Sequence, residues 1–168
     1  ELGNALVDMY VKCGMLAKAK QVLEDLPIRN MVSWSVLISG YAQRGLAHEA
    51  VMYFELMQDE GLSPDAVTFL CVLNACSQAG LLEEVQMLFT NMIQRYGILP
   101  KIEHHTCMVV ILGCAGHLAK AMSVIKTMPS SQCPLIWLAL LSACRKWGNL
   151  KLGRLAFDKM MELDKSCA

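Results

Sequence analysis

The feature that most constrains this chain is a helical hairpin pattern that returns at glycine-marked intervals. Its clearest copy, MVSWSVLISGYAQRGLAHEAVMYFELMQDEGLSPD, runs from Met31 to Asp65. Apolar residues at steps of three and four predict one helix over about 33–43 and a second over about 47–59. Gly45 is expected to form the turn between them, and the GLSPD segment ends the second helix. This stretch therefore predicts a helix-turn-helix unit.

The same unit recurs along the whole chain, because the turn glycines are separated by 31, 35, 36 and 32 residues. Three further columns keep this register, at five, nine and twelve positions after each glycine. In chain order, the glycines are Gly14, Gly45, Gly80, Gly116 and Gly148; the small or slim residues at the fifth position are Ala19, Ala50, Val85, Ala121 and Gly153; the apolar residues at the ninth are Leu23, Phe54, Phe89, Ile125 and Phe157; and the large flexible residues at the twelfth are Leu26, Met57, Met92, Met128 and Met160. The sequence thus contains an internal repeat of variable period.

A repeated helical hairpin of this size predicts a solenoid. One hairpin cannot bury both of its apolar faces, so each copy must stack on its neighbours. The small residue lets the two helices of a pair approach closely, and the Met or Leu column fills the joint between units. We expect an all-α fold, an α-solenoid of about five helix-turn-helix repeats that winds as a right-handed superhelix.

Composition agrees with stacked helices and argues against a strongly basic nucleic-acid module. The apolar share is 55% and the charged share only 18%, while 15 basic and 15 acidic residues give a formal net charge of zero. The eight cysteines form no CxxC pair, and no histidine stands at zinc-finger spacing from a cysteine pair. We therefore expect reduced, structural cysteines, and neither a metal nor a cofactor.

No membrane span or targeting segment is expected in this sequence. Its longest uncharged stretch, Thr127 to Cys144, is interrupted by Pro129 and Pro134, and the apolar part is far shorter than the roughly 20 residues a span needs. The chain opens at Glu1 within a helical repeat pattern. We therefore expect it to be a piece of a longer protein.

The glycine register divides the chain into five hairpins without a linker. Four are expected to be repeats: a short one over 1–30, a standard one over 31–65, a long one over 66–101 and a short one over 102–133. Residues 134–168 form a fifth, more divergent and apparently incomplete hairpin.

Several strings carry a family resemblance: NALVDMYVKCG, VSWSVLISGYAQRG, TFLCVLNACSQAGL, CMVVILGCAG and IWLALLSACRKWGNLKLG. They resemble plant pentatricopeptide repeat proteins of the PLS class, whose repeats also alternate in length. The fifth hairpin resembles the E-type motif that follows the last repeat in such proteins. The resemblance covers essentially the whole chain. It implies binding of specific single-stranded RNA in mitochondria or chloroplasts, most often to specify cytidines for C-to-U editing.

In that family, each repeat addresses one base through its fifth residue and its last residue. The resemblance implies the pairs Asn4 with Asn30, Ser35 with Asp65, Leu70 with Lys101, and Thr106 with Cys133. It also implies that Val32 and Val67, second in their repeats, sandwich bases. A Ser with Asp favours guanine in the family, and Asn with Asn favours pyrimidines.

The chemistry of these pairs is sound, but each polar residue has a structural alternative. Single-stranded bases expose their Watson–Crick edges to short side chains on a rigid helix, and a carboxylate at Asp65 can accept hydrogen bonds from guanine. The alternative is helix capping by Asn4, Ser35 and Thr106, and a turn or cap at Asp65. We favour base contacts for Ser35 and Asp65.

The other two pairs are weaker predictions. Leu70 cannot hydrogen-bond a base edge, so we interpret Leu70 and Lys101 as structural. Cys133 stands where the family usually carries Asn or Asp, which leaves the base preference of Thr106 with Cys133 open.

Phosphate contacts are expected from the twelfth and thirteenth positions, which helical periodicity brings to the same inner face as the fifth residue. Basic residues stand there at the two ends of the chain and uncharged ones between them: Lys12, Arg145 and Lys146 flank Gln43, Gln78 and Cys114. Because phosphate contacts normally supply much of the affinity for nucleic acid, we expect weak RNA binding from this segment alone.

No catalytic site is expected. The deaminase domain of some relatives requires a His-x-Glu and a CxxC pair to hold zinc and activate water, and the sequence has neither. We interpret His104 and His105 as surface or packing residues. A separate deaminase or another editing protein is the expected partner of the C-terminal hairpin, where Leu152, Leu155, Phe157 and Met161 are predicted to form an uncovered apolar patch. The alternative function is a protein-binding helical scaffold of the tetratricopeptide type.

Overall fold

The helices follow the glycine register. The computed structural model describes residues 2–128 and 133–166. In this part of the chain there are ten α-helices and no strand: α1 Leu2–Lys12, α2 Leu16–Asp25, α3 Met31–Gln43, α4 Ala47–Asp59, α5 Ala66–Ala79, α6 Leu82–Gln94, α7 Ile102–Cys114, α8 Leu118–Thr127, α9 Pro134–Trp147 and α10 Leu150–Ser166. The bounds of α4 are those expected from sequence, whereas α3 begins two residues earlier than its apolar pattern suggested.

The helices form two layers. Each odd-numbered helix contacts the even-numbered helix that follows it and the next odd-numbered helix along the chain. Helices α2, α4, α6 and α8 each also contact the first helix of the following hairpin. One layer therefore consists of α1, α3, α5, α7 and α9 side by side, and the all-α solenoid expected from the repeat pattern is confirmed.

The turns and joints explain why the columns of small and glycine residues recur. All five turn glycines adopt a positive φ, between 68° and 82°, which residues with a Cβ rarely adopt. Ala19, Ala50, Val85 and Ala121 are completely buried. The small side chain is needed because it lies where the second helix packs against the first.

The C-terminal hairpin departs from the column pattern. Phe157 is 50% exposed although Leu23, Phe54 and Ile125 at the same position are buried. In the described residues α10 packs on α9 alone, so its outer face has no helix against it. Leu155 and Met161 are exposed as predicted. The prediction for Leu152 is wrong, because this side chain is partly buried against the core.

Cys76, Cys107 and Cys144 are buried as small apolar side chains, whereas Cys13 and Cys114 are exposed. Seven cysteines are free in the described part of the chain, and Cys167 lies outside it. Burial raises the pKa of Cys76 and of Cys107 to about 11, which disfavours the reactive thiolate. Over the same residues there is no cluster of three metal-ligating side chains, and no helix has the length and hydropathy to cross a membrane.

The two adjacent histidines are packing residues. His104 is buried at the N-terminus of α7, where its Nδ1 accepts a hydrogen bond from the Lys101 backbone N–H at 3.1 Å. His105 lies against the Phe89 ring, with 5.4 Å between centroids, and its Nδ1 is buried with no hydrogen-bond partner among the described residues. Burial lowers the pKa of His105 below 6.5, and the neighbouring His104 lowers it further.

This lowered pKa predicts a loss of stability in mild acid. The unfolded chain binds a proton at His105 near pH 6.5 while the folded chain resists it, so protonation favours unfolding as the pH falls below that value. We expect the Tm to fall between about pH 7 and about pH 5.5, and His105→Phe to reduce the fall. The exposed His48 provides the control, since His48→Gln is expected to leave the pH dependence unchanged. Identical pH profiles for wild type and His105→Phe would contradict the prediction.

Candidate nucleic-acid interface

Five of the predicted site residues line one groove on the layer of first helices. The groove lies between α1, α3 and α5 and has a volume of about 380 Å³. Its lining includes Lys12, Val32, Ser35, Asp65 and Val67. Side chains that the sequence separates by up to 55 positions, from 12 to 67, thus face the same space.

Ser35 and Asp65 are joined through a third residue, Thr68. The Ser35 and Thr68 hydroxyl oxygens are 2.7 Å apart. The Thr68 hydroxyl also donates a hydrogen bond to Asp65 Oδ1 at 2.8 Å. Two residues from one predicted repeat are therefore held together by the first turn of the next helix.

Asp65 is also the N-cap of α5. Its Oδ1 accepts a hydrogen bond from the Thr68 backbone N–H at 2.8 Å, which satisfies one of the free donors at the helix start. The structural interpretation of Asp65 is therefore correct, and it leaves the second oxygen available. In the part of the chain that the structure describes, Asp65 Oδ2 makes no hydrogen bond to protein.

Asn4 and Asn30 also meet. Asn4 Nδ2 donates a hydrogen bond to Asn30 Oδ1 at 3.3 Å. Asn30 is the N-cap of α3, where Oδ1 accepts from the Ser33 backbone N–H at 3.0 Å. This cap explains why α3 begins at Met31, earlier than its apolar pattern indicated.

The capping alternative is wrong for Asn4, Ser35 and Thr106. All three lie inside helices, in α1, α3 and α7. Thr106 donates its hydroxyl hydrogen to the Ile102 carbonyl one turn earlier, at 2.8 Å. At two of the repeat boundaries the side-chain cap is instead the last residue of the preceding repeat, Asn30 for α3 and Asp65 for α5.

Val32 and Val67 are exposed apolar side chains at equivalent positions of successive repeats. Val32 is 52% exposed and Val67 is 61% exposed. Both line the groove beside Ser35 and Asp65. Apolar surface in this position is suited to contact with the flat face of a base.

A second groove lies farther along the same layer, between α7 and α9. It has a volume of about 830 Å³, and its lining includes Thr106, Cys114, Arg145 and Lys146. Cys133 is half-buried at the N-cap of α9 and makes no capping hydrogen bond with its side chain. The structure thus brings Thr106 to the two predicted phosphate contacts, and Cys133 does not line this groove.

Leu135 also lines this second groove, although it was not among the residues predicted from the sequence. Leu135 is 65% exposed and lines the cavity. It is the second residue of its hairpin, as Val32 and Val67 are of theirs. The repeat register therefore contained the signal that identifies it.

Leu70 and Lys101 have the structural environment expected for them. Leu70 is partly buried and packs against the core. Lys101 is exposed at the N-cap of α7, where its backbone N–H is taken by His104. Neither residue has a short polar side chain that could hydrogen-bond a base edge, and the two do not line a common groove among the described residues.

The cations of the inner face are not equally available. Lys12 Nζ forms an ion pair with Asp8 Oδ2, 2.6 Å away; the two residues are one helical turn apart on α1. Lys146 Nζ donates a hydrogen bond to the Cys114 carbonyl at 3.0 Å and lies 5.2 Å from the Trp147 ring centroid. Arg145 is exposed and makes no ion pair in the described residues. The positive potential of this face is therefore modest at α1 and greater at α9.

Comparison with known families identifies the repeats. The sequence model described as the PPR repeat family matches residues 29–78, and the model described as the PPR repeat matches residues 4–31, 67–96 and 135–164. Two pentatricopeptide repeat-containing proteins of Arabidopsis thaliana, At4g14820 and At4g30700, are each 43% identical to the chain over 163 residues, or 97% of it. The chain spans 23% and 21% of their lengths, so it is similar to about a quarter of each.

Solved structures show the same fold. The maize pentatricopeptide repeat protein PPR10 is 20% identical and superimposes with a TM-score of 0.76 over 98% of this chain and 24% of its own. The PPR domain of Arabidopsis thaliana protein-only RNase P 1, solved in complex with tRNA, is 17% identical with a TM-score of 0.76, over 96% of this chain and 90% of that domain.

The double role of Asp65 predicts how its substitution affects stability. Asp65→Ala removes the N-cap of α5 and is expected to lower the free energy of unfolding by about 1 kcal/mol. Asp65→Asn is the matched control, because asparagine caps a helix about as well as aspartate. Urea denaturation followed by circular dichroism measures both variants. Equal stability of Asp65→Ala and wild type would show that the cap contributes nothing.

Proposed function

The chain belongs to the pentatricopeptide repeat family, and we propose that it binds single-stranded RNA with successive bases placed along its layer of first helices. The observation that carries this proposal is the joining of Ser35 and Asp65 through Thr68 at the edge of an open groove. Two polar side chains of one repeat, its fifth and its last residue, are there bridged by a single buried hydroxyl. Two proteins of similar fold, PPR10 in complex with an RNA element and the PPR domain of protein-only RNase P 1 in complex with tRNA, support the same class of ligand.

The second repeat offers hydrogen-bond acceptors to a base. Asp65 Oδ2 has no protein donor among the described residues. The Ser35 oxygen is connected to the other carboxylate oxygen, Oδ1, through the Thr68 hydroxyl. Guanine presents N–H donors on its Watson–Crick edge, and a carboxylate is an acceptor only. We therefore assign guanine to the nucleotide that faces Ser35 and Asp65.

The first repeat offers donors as well as an acceptor. Asn30 Oδ1 is occupied by Asn4 Nδ2, by the Ser33 N–H and by the Ser33 hydroxyl. The Asn30 amide nitrogen and the Asn4 side-chain oxygen have no hydrogen-bond partner among the described residues. A pyrimidine edge combines a donor with acceptors and matches this pair. We assign a pyrimidine, with cytosine favoured over uracil, to the nucleotide facing Asn4 and Asn30.

The remaining site residues complete the path. Val32 and Val67 cover the faces of the base between them, because each lies on the groove one repeat from the other. The third repeat, with Leu70 and Lys101, lets a nucleotide pass without direct recognition. Arg145 and Lys146 then hold phosphates beside Thr106, while Cys133 contributes no strong base preference.

The proposed biological role is to specify sites of C-to-U editing in organellar transcripts. The alternation of repeat lengths and the E-type character of the fifth hairpin support this role within the family. The chain supplies RNA recognition in mitochondria or chloroplasts, and a separate deaminase carries out the chemistry. The exposed apolar residues Leu155, Phe157 and Met161 on α10 support contact of this hairpin with an editing protein.

A protein-binding scaffold is the less supported function. The sequence models that match this chain are those of the PPR repeat, and the polar pair of the second repeat, Ser35 and Asp65, faces an open groove. No observation in the described residues favours a peptide ligand over a nucleotide.

Base preference at the second repeat tests the proposal directly. Fluorescence anisotropy with short single-stranded RNAs, varied one base at a time around a pyrimidine–guanine step, is expected to show preference for guanine opposite Ser35. Ser35→Asn replaces an acceptor by an amide and is expected to shift the preferred base from purine to pyrimidine. The nucleotide opposite Asn4 and Asn30 serves as the internal control. Unchanged preference in Ser35→Asn would contradict the assigned register.

The ion pair on α1 predicts a gain of affinity on removal of one acid. Asp8→Asn frees Lys12 for phosphate and is expected to strengthen binding to all RNA sequences alike. It is also expected to steepen the dependence of log K on log salt by about 0.7, as for one added phosphate contact to a single strand. Lys12→Gln is the matched control and is expected to reduce both quantities. A sequence-dependent change, or an unchanged slope in Asp8→Asn, would place Lys12 away from the RNA backbone.

A further inference from the structure

We propose that Thr68 is a specificity-determining positioning residue, whose buried hydroxyl directs the hydrogen bonds of Ser35 and Asp65 so that the pair presents only acceptors to a base. The inference rests on the proposed RNA-binding function and deepens it. It places part of the base preference of one repeat on a residue of the following repeat, which does not itself face the groove.

The geometry leaves one arrangement of hydrogens. Thr68 is 1% exposed, so its hydroxyl has no access to water. Its oxygen lies 2.8 Å from Asp65 Oδ1 and 2.7 Å from the Ser35 oxygen. An ionised carboxylate has no hydrogen to give. The single hydroxyl hydrogen of Thr68 therefore points to Asp65, and Ser35 must donate its own hydrogen to Thr68.

This arrangement fixes what the groove presents. Once the Ser35 hydrogen is committed to Thr68, the Ser35 oxygen faces the groove with lone pairs only. Asp65 Oδ2 is likewise an acceptor without a protein donor in the described residues. Guanine brings adjacent N1–H and N2–H donors to such a pair. Adenine and cytosine each place an acceptor at the centre of the Watson–Crick edge, where it would face another acceptor.

The equivalent residue of the preceding repeat boundary behaves differently. Ser33 occupies the same position in its repeat as Thr68 does, and it is also fully buried. Its hydroxyl donates to the Asn30 carbonyl at 2.8 Å and accepts from the Asn30 backbone N–H at 3.0 Å. It makes no hydrogen bond to Asn4. Its hydroxyl also lies 3.4 Å from Asn30 Oδ1. Ser33 therefore contacts one member of its pair but does not link the two, and it provides a comparison within the same chain.

His104 occupies the same position in the fourth repeat, and its side chain bonds only backbone groups, not the side chains of Leu70 and Lys101. Its Nδ1 accepts from the Lys101 backbone N–H, so Nε2 carries the hydrogen and donates to the Ala66 carbonyl at 2.9 Å. Among the described repeats, Thr68 is therefore the residue at this position that bonds both members of a proposed base-contacting pair.

The test compares Thr68→Val with Thr68→Ser and Ser33→Ala. Valine keeps the shape of threonine without its hydroxyl, so the Ser35 hydrogen becomes free to rotate toward the groove. Anisotropy titrations with four RNAs that differ only at the nucleotide facing Ser35 are expected to show the preference for guanine over adenine falling about fivefold in Thr68→Val. Thr68→Ser is expected to restore the preference. Ser33→Ala is expected to lower the Tm and to leave base preference unchanged at the nucleotide facing Ser35.

Each outcome separates the inference from the proposed function. A wild-type chain with no base preference at either nucleotide overturns the RNA-binding proposal. A wild type that prefers guanine, together with a folded Thr68→Val that keeps this preference, overturns the role of Thr68 alone. Equal loss of affinity for all four RNAs in Thr68→Val also overturns it, because that result indicates only a structural role. Thr68→Ala, which is compatible with a helical first turn, provides the same measurement if the valine variant does not fold.

Discussion

The close contact between successive first helices is the constraint on which the rest of this structure depends. A Cβ at Gly40 would lie 2.6 Å from a Val11 methyl carbon, so α1 and α3 can approach as they do only because residue 40 has no side chain. The same stacking brings Ser35 of α3 within 2.7 Å of Thr68 on α5. Spacing between base-contacting side chains is thus set by core packing, and it is held by buried residues that a ligand never touches.

Helix capping and base contact are not competing roles at the repeat boundaries. The last residue of a repeat is the N-cap of the first helix of the next one, and an Asn or Asp at that position caps the helix whether or not RNA is present. Asp65 uses Oδ1 for the cap and retains Oδ2. Asn30 uses its side-chain oxygen, Oδ1, for the cap and retains its side-chain amide nitrogen, Nδ2. Chemically different caps, equally good for the helix, therefore leave different side-chain groups without a protein partner among the described residues.

The fold was predictable because each glycine and small-residue column reports a local requirement: a positive φ at Gly45 or the full burial of Ala50. The sequence predicted five residues that line one groove, but not the hydrogen bonds among them. Thr68 is 33 positions from Ser35, and apolar periodicity carries no information on which buried hydroxyl meets which carboxylate. The start of α3 was missed for a related reason, since Asn30 sets it through a side-chain bond outside the apolar pattern. By contrast, the Asp8–Lys12 pair has the four-residue spacing of a helical ion pair and was visible in the sequence.

The balance of charge determines what kind of recognition this surface can support. With a formal net charge of zero and Lys12 already paired to Asp8, the groove at the first two repeats gains little from counterion release, the usual source of sequence-independent affinity. In the proposed complex, contact with Val32 and Val67 and hydrogen bonds to Asn4, Asn30, Ser35 and Asp65 would then supply a larger share of the binding free energy. A wrong base removes hydrogen bonds and leaves polar groups unpaired. When the total binding free energy is small, this loss is a larger fraction of it. A weakly charged array of this kind gives up affinity per repeat and gains discrimination per repeat, and affinity must then come from the number of repeats engaged.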